Sequence, residues 1–223
     1  MHSKRNTILT YLFLMYLFPV ALTFGIQQLT KHGILTATSH SERIMYVNMV
    51  VYLLLPFVLF FLLRKEFSAD IKSAGNLVAK TIPLILVVYA VSILGNLFIN
   101  IFDHTQTTDN QVLINELRGM NYLFTVYMAV FAAPVAEESV FRCCIIANRR
   151  GFLGFFMLIL SSTLFALVHL QGLTPGAFCA YTVIGLALGS IYLKYRNLIL
   201  NILVHAGYNG LALLLAAILQ HVR

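Results

Sequence analysis

Glu137-Glu138-Ser139-Val140-Phe141-Arg142 decides how the chain is read, because it sets three ionisable residues inside a run otherwise suited to lipid. The whole sequence holds only eight Asp and Glu, and two of them stand here side by side. A charge at bilayer depth costs at least about 2.5–3.5 kcal/mol on insertion scales, so it is functional or partnered by default. On a helix, residues four apart share a face while neighbours diverge. Glu138 is therefore expected to stack on Arg142, the acid N-terminal to the base, and the pair neutralises itself in a low dielectric. Glu137 points elsewhere, on the face of Phe141, with no cation in helical reach. A desolvated carboxylate without a cation suits a general base or acid. Pro134, just before the motif, is expected to loosen the helix there.

The rest of the chain supports a membrane setting for this hexapeptide. It is 60% hydrophobic and 10% charged, with a mean hydropathy of +0.85. Soluble domains carry about 25% charged residues, so composition excludes that class. The net charge of +7 is read as Lys and Arg that orient helices rather than as a nucleic-acid surface. The three cysteines, Cys143, Cys144 and Cys179, form no complete disulfide framework and no CxxC zinc pattern, and are read as small buried hydrophobes.

A span needs roughly 20 mostly apolar residues. Candidate spans run about Ile8–Leu29, with Pro19 as a kink, then about Ile44–Leu63, Thr81–Phe102, Met120–Ala147, Phe152–Leu170, Gly176–Leu193 and Leu198–Leu219. The first, although it follows Lys4 and Arg5, is too long for a signal peptide and is read as a retained span. The fold class expected is an all-α, polytopic transmembrane helix bundle with about seven spans, or eight if Gly207 or Gly210 breaks the last one. Residues 1–223 are read as a single transmembrane domain. Lys4, Arg5, Arg64, Lys65, Lys72, Lys80, Arg149, Arg150, Lys194 and Arg196 fall on one side, against Lys31, Arg43, Arg118 and Arg223 on the other. That asymmetry places the N-terminus in the cytoplasm. Residues 64–80 mix charges with Phe67, Ile71, Leu77 and Val78, the pattern of an amphipathic surface piece or a solvated loop. Gly185 and Gly189 make a GxxxG for close helix packing.

Further polar residues lie in later apolar runs. His169 closes Phe165-Ala166-Leu167-Val168-His169, and Asn201, His205 and Asn209, four apart, form one polar stripe on an apolar helix. Two intramembrane histidines, a polar stripe and an unpaired Glu together point to a site. At about 1.5 Å per residue, Glu137 lies roughly 16 Å, His205 roughly 12 Å and His169 roughly 25 Å from the nearest turn on the same side, a mismatch in depth. His2, His32, His40, His104 and His221 fall at segment ends or in loops and are assigned no role.

In this order, EExxxR, FxxxH and HxxxN resemble the three motifs of the CPBP intramembrane proteases (CAAX protease and bacteriocin-processing, also called Abi). This family includes type II CAAX prenyl endopeptidases and bacterial bacteriocin-processing or self-immunity proteins. The motifs are Glu137-Glu138 with Arg142, Phe165 with His169, and His205 with Asn209, within residues 120–209. The resemblance implies that Glu137 and His169 activate a water for attack on a peptide carbonyl, and that His205 and Asn209 stabilise the oxyanion. Glu138, Arg142 and Phe165 then support the site. Zinc, with Glu137, His169 and His205 as ligands, and a metal-free glutamate mechanism both fit these residues.

The function expected is an intramembrane endopeptidase acting on a membrane-associated peptide or protein, with the lipid bilayer as its other partner and no nucleic acid. The location expected is a bacterial cell membrane. A non-proteolytic bacteriocin self-immunity protein is the alternative; a transporter is disfavoured because no inverted repeat is visible. A rhomboid-type protease needs Ser in a GxSG context. An aspartyl type needs membrane aspartates, whereas Asp70, Asp103 and Asp109 are expected in loops. Oligomeric state is not legible.

Overall fold

The computed structural model describes residues 2–32, 40–75, 77–104, 109–170, 172 and 174–221. The described residues are helical, with no strand among them. In chain order the helices are α1 (residues 2–31), α2 (His40–Leu62), α3 (Arg64–Ala74), α4 (Val78–Asp103), α5 (Asp109–Met120), α6 (residues 122–146), α7 (Gly151–Val168), α8 (Pro175–Tyr195) and α9 (Leu198–His221). Arg223, counted above in the charge asymmetry, and the side chains of His2, His40, Asp109 and His221 lie outside what the structure describes.

All seven apolar segments read from the sequence are helical. Among the described residues, α1, α4, α7, α8 and α9 are long and apolar enough to cross a membrane, with a sixth if α2 and α3, bent by 80°, count as one broken span. The all-α helix bundle expected from the sequence is thus observed, with five or six candidate spans among the described residues beside the seven or eight expected. Helix α6, which carries Glu137, Glu138 and Arg142, is not among them. No break occurs at Gly207 or Gly210, because α9 runs unbroken from Leu198 to His221. Leu123, Phe152, Ile82 and Phe61 are between 67% and 85% exposed, an apolar exterior that suits lipid and not water. The protein is an integral membrane protein.

One buried cluster joins almost every long helix: Tyr11 of α1, Leu55 and Leu59 of α2, Val88 of α4, Phe141 of α6, Phe165 of α7, Leu188 of α8 and Val204 of α9. The GxxxG of α8 lets α7 and α8 approach closely. A Cβ on Gly185 would stand 3.0 Å from the Ser162 Cα, and one on Gly189 would stand 2.4 Å from a Leu158 methyl. Gly185→Val is expected to destabilise the protein by about 1–3 kcal/mol through overpacking, read as a lower unfolding midpoint in detergent.

Carboxylates and amides tie the helix ends. Both oxygens of Asp103 accept backbone N–H groups at the start of α8, from Gly176 and Ala177, each at 2.8 Å. Asp70 accepts the first N–H of α9, from Leu198, and Asn197 donates to the Asp70 carbonyl and the Ser73 hydroxyl. The first N–H groups of a helix have no partner within it, so these carboxylates satisfy them across helices. The expectation that the aspartates sit in loops is thereby corrected. Asp70 lies within α3, Asp103 ends α4 and Asp109 opens α5. Of residues 64–80, read as an amphipathic piece or a loop, Arg64–Ala74 form helix α3 with Phe67 buried in a cluster with Leu63, Val135 and Cys143. All three cysteines are free, Cys143 and Cys144 buried.

Candidate active site

Helix α6 is irregular where the chemistry lies. Wide π-type turns span Met128–Ala132 and Glu138–Ile146, separated by the short α-helical stretch Ala133–Glu137 that contains Pro134. Proline has no N–H to give to the preceding turn, and such widened turns recur at functional positions. The effect here is to set Glu137 and Glu138 at a junction between two helical geometries.

Glu138 is the most heavily partnered residue of the site. It is fully buried and its Oε2 lies 3.2 Å from Arg142 Nε, itself fully buried. The same oxygen accepts Asn201 Nδ2–H at 2.6 Å, and Oε1 lies 2.8 Å from His205 Nδ1. Asn201 Nδ2 also donates to the Leu188 carbonyl at 3.1 Å. Arg142 donates from Nη2 to the Gly185 carbonyl at 3.3 Å, and its guanidinium lies over the rings of Phe165 and Phe141 at 4.7 and 5.9 Å. Ring faces attract a desolvated cation, which complements the single carboxylate beside Arg142.

Glu137 is differently placed. Its Oε1 lies 3.7 Å from His169 Nε2 and its Oε2 lies 3.8 Å from His205 Nε2, both beyond direct hydrogen-bond length. Oε2 is buried without a hydrogen-bond partner. His169 Nδ1 lies 2.7 Å from the Phe165 carbonyl. A carbonyl only accepts, so Nδ1 carries the proton and Nε2 of the neutral ring offers a lone pair toward Glu137. Phe165 links the parts: its ring lies edge-on to Phe141 at 5.5 Å, against His169 at 4.4 Å and near His205 at 6.0 Å. Tyr181 stacks on His169 at 4.8 Å. Asn209 donates from Nδ2 to the Ala129 carbonyl at 2.8 Å.

The structure thus gathers Glu137, Glu138, Arg142, Phe165, His169 and His205 into one cluster. Asn209, two helical turns of the stripe beyond Asn201, lies against α6 at Ala129. His169, despite the depth mismatch, reaches Glu137 from the very end of α7. Adding helical rise along each helix ignores tilt, and tilted helices converge where they cross.

Spacing alone gave no sign of three features. The link from Glu138 to His205 joins α6 to α9, Asn201 is a partner of Glu138, and Tyr181 covers His169. The four-residue stripe was the available signal for Asn201, but a stripe names a face and not what it faces. Among the described residues no group of three His, Cys, Asp or Glu side chains is arranged to hold a metal ion.

Residues 119–211 match the family described as type II CAAX prenyl endopeptidase Rce1-like. The chain is also similar to the UPF0177 protein YvdC of Lactococcus lactis subsp. lactis (strain IL1403), 33% identical over 133 residues, which are 59% of this chain. The matched part spans about half of that relative, 50% of its length. No solved structure matches the chain. The matched stretch contains every residue of the three motifs, and over it the chain is similar to the Rce1-like type II CAAX prenyl endopeptidases.

Proposed function

We propose that the protein is an intramembrane endopeptidase that hydrolyses a peptide bond of a membrane-associated peptide or protein with a water activated by Glu137 and His169. The observation that carries this reading is the facing pair Glu137 Oε1 and His169 Nε2, 3.7 Å apart. Both are acceptors when the carboxylate is ionised and the imidazole neutral, and the two O–H groups of one water match them.

In this mechanism Glu137 takes a proton as the water oxygen attacks the carbonyl carbon. The tetrahedral intermediate then collapses, the C–N bond breaks, and Glu137 returns the proton to the leaving amine. Asn209 has a second amide N–H beyond the one given to Ala129, available to the developing oxyanion. His205 donates its Nδ1–H to Glu138, with its Nε2 turned toward Glu137. Glu138, held by Arg142 and Asn201, fixes the ring in that pose. The Lys and Arg asymmetry supports a cytoplasmic N-terminus, and the relative from Lactococcus supports a bacterial cell membrane.

The test is incubation of the protein, reconstituted in vesicles, with membrane-anchored peptides in prenylated and unprenylated forms, with product termini read by mass spectrometry. New termini are expected with wild type, persisting with a chelator present, and none with Glu137→Gln. Products that vanish with the chelator would replace the water mechanism by a metal-dependent one. Equal products from wild type and Glu137→Gln, or none from wild type, would overturn the proposal and favour a non-proteolytic role such as bacteriocin self-immunity.

A further inference from the structure

We propose that a basic cavity between the start of α7 and the end of α8 binds the phosphodiester headgroup of an anionic membrane lipid. The cavity is about 380 Å3 and is lined by Arg150, Lys194 and Arg196 together with Gly151, Gly154 and Phe155. That size lies within the ordinary range for small-molecule sites, roughly 300–1,000 Å3.

Arg196 and Lys194 are held in place by neutral partners. Arg196 donates from its two terminal nitrogens to the carbonyls of Ala147 and Arg149 at 2.7 and 2.6 Å, which clamps the turn between α6 and α7. The Lys194 and Lys80 ammonium groups both lie over the Tyr195 ring, at 5.4 and 5.1 Å. Among the described residues no Asp or Glu pairs with Arg150, Lys194 or Arg196; the ion pairs there belong to Glu137 and Glu138. The first turn of α7 holds no acid either. The floor stays open because residue 154 is glycine, where a Cβ would stand 2.8 Å from the Arg149 carbonyl oxygen.

Carbonyls orient Arg196 and a ring face orients Lys194 without cancelling their charge, and Arg150 adds a third cation, so the recess keeps a net positive charge that an anion of matching size neutralises. Arg is suited to phosphate through its planar fork of donors. A lipid is favoured over free phosphate by the apolar rim. Phe152 is 85% exposed and Phe155 58% exposed at the same end of α7, where acyl chains would lie beside a bound headgroup. Basic recesses between membrane helices are suited to anionic lipid heads.

The test is lipid retention by the full chain in neutral detergent, measured by native mass spectrometry during titration with phosphatidylglycerol or phosphatidylcholine. Arg150→Gln/Lys194→Gln leaves Arg196 in place to hold the turn, and Lys65→Gln/Lys72→Gln removes the same charge from α3. Wild type is expected to retain phosphatidylglycerol in preference to phosphatidylcholine. The cavity variant should bind it about 30-fold more weakly, as follows from losing two interfacial cations, with its unfolding midpoint in plain detergent unchanged. The α3 variant should retain most of the affinity, and inorganic phosphate should not displace the lipid. Equal retention of the two lipids, equal loss in the two variants, or displacement by phosphate at matched concentration would each overturn the proposal.

Discussion

Replacing Glu137 by Gln is expected to lower kcat/KM for peptide cleavage by about 10²–10⁴-fold, the usual contribution of a general base. The fold should survive, since Glu137 has little structural work. Its Oε2 has no hydrogen-bond partner, and both neighbouring imidazoles stand beyond hydrogen-bond length. Glutamine keeps the shape and loses the capacity to take a proton. An unfolding midpoint close to wild type, together with the rate loss, would show the two effects to be separate. Activity within tenfold of wild type would contradict the assignment of Glu137 as base.

Arg142 is expected to behave in the opposite way. Arg142→Met leaves Glu138 buried with His205 and Asn201 but without its cation. Breaking a buried pair from one side costs about 3–5 kcal/mol, because the remaining charge is uncompensated. Glu138→Gln/Arg142→Met removes both charges and should recover part of that loss, an interaction visible in a double-mutant cycle. Chemical denaturation in detergent measures it. A single variant that loses less than about 1 kcal/mol would mean that ring faces and carbonyls, not Arg142, carry the burial of Glu138.

The contrast between these two acids is the part of the site that the sequence made legible. Helical register alone pairs Glu138 with Arg142 and leaves Glu137 without a cation, because contacts one turn apart depend on spacing within one helix. The stripe of Asn201, His205 and Asn209 and the small residues of α8 are legible for the same reason. Contacts between helices are not. His205 against Glu138, Tyr181 against His169 and Phe165 among four partners depend on crossing angles, and periodicity reports faces rather than neighbours. The carboxylates of Asp70 and Asp103 look like loop residues in sequence because their partners, the first amides of α9 and α8, are 128 and 73 residues distant. Hydropathy found all seven long segments. It did not find α5, whose mixed composition has no apolar run, nor the 80° bend that sets α3 across the end of α2.

The central claim is that Glu137 and His169 act on one and the same water, and a double-mutant cycle in kcat/KM on a cleaved peptide tests it most directly. Groups that act as a unit are strongly non-additive. Glu137→Gln/His169→Ala should therefore lose no more activity than the worse of the two single variants. A double variant whose loss equals the product of the single losses would contradict the claim, because the two side chains would then be contributing independently.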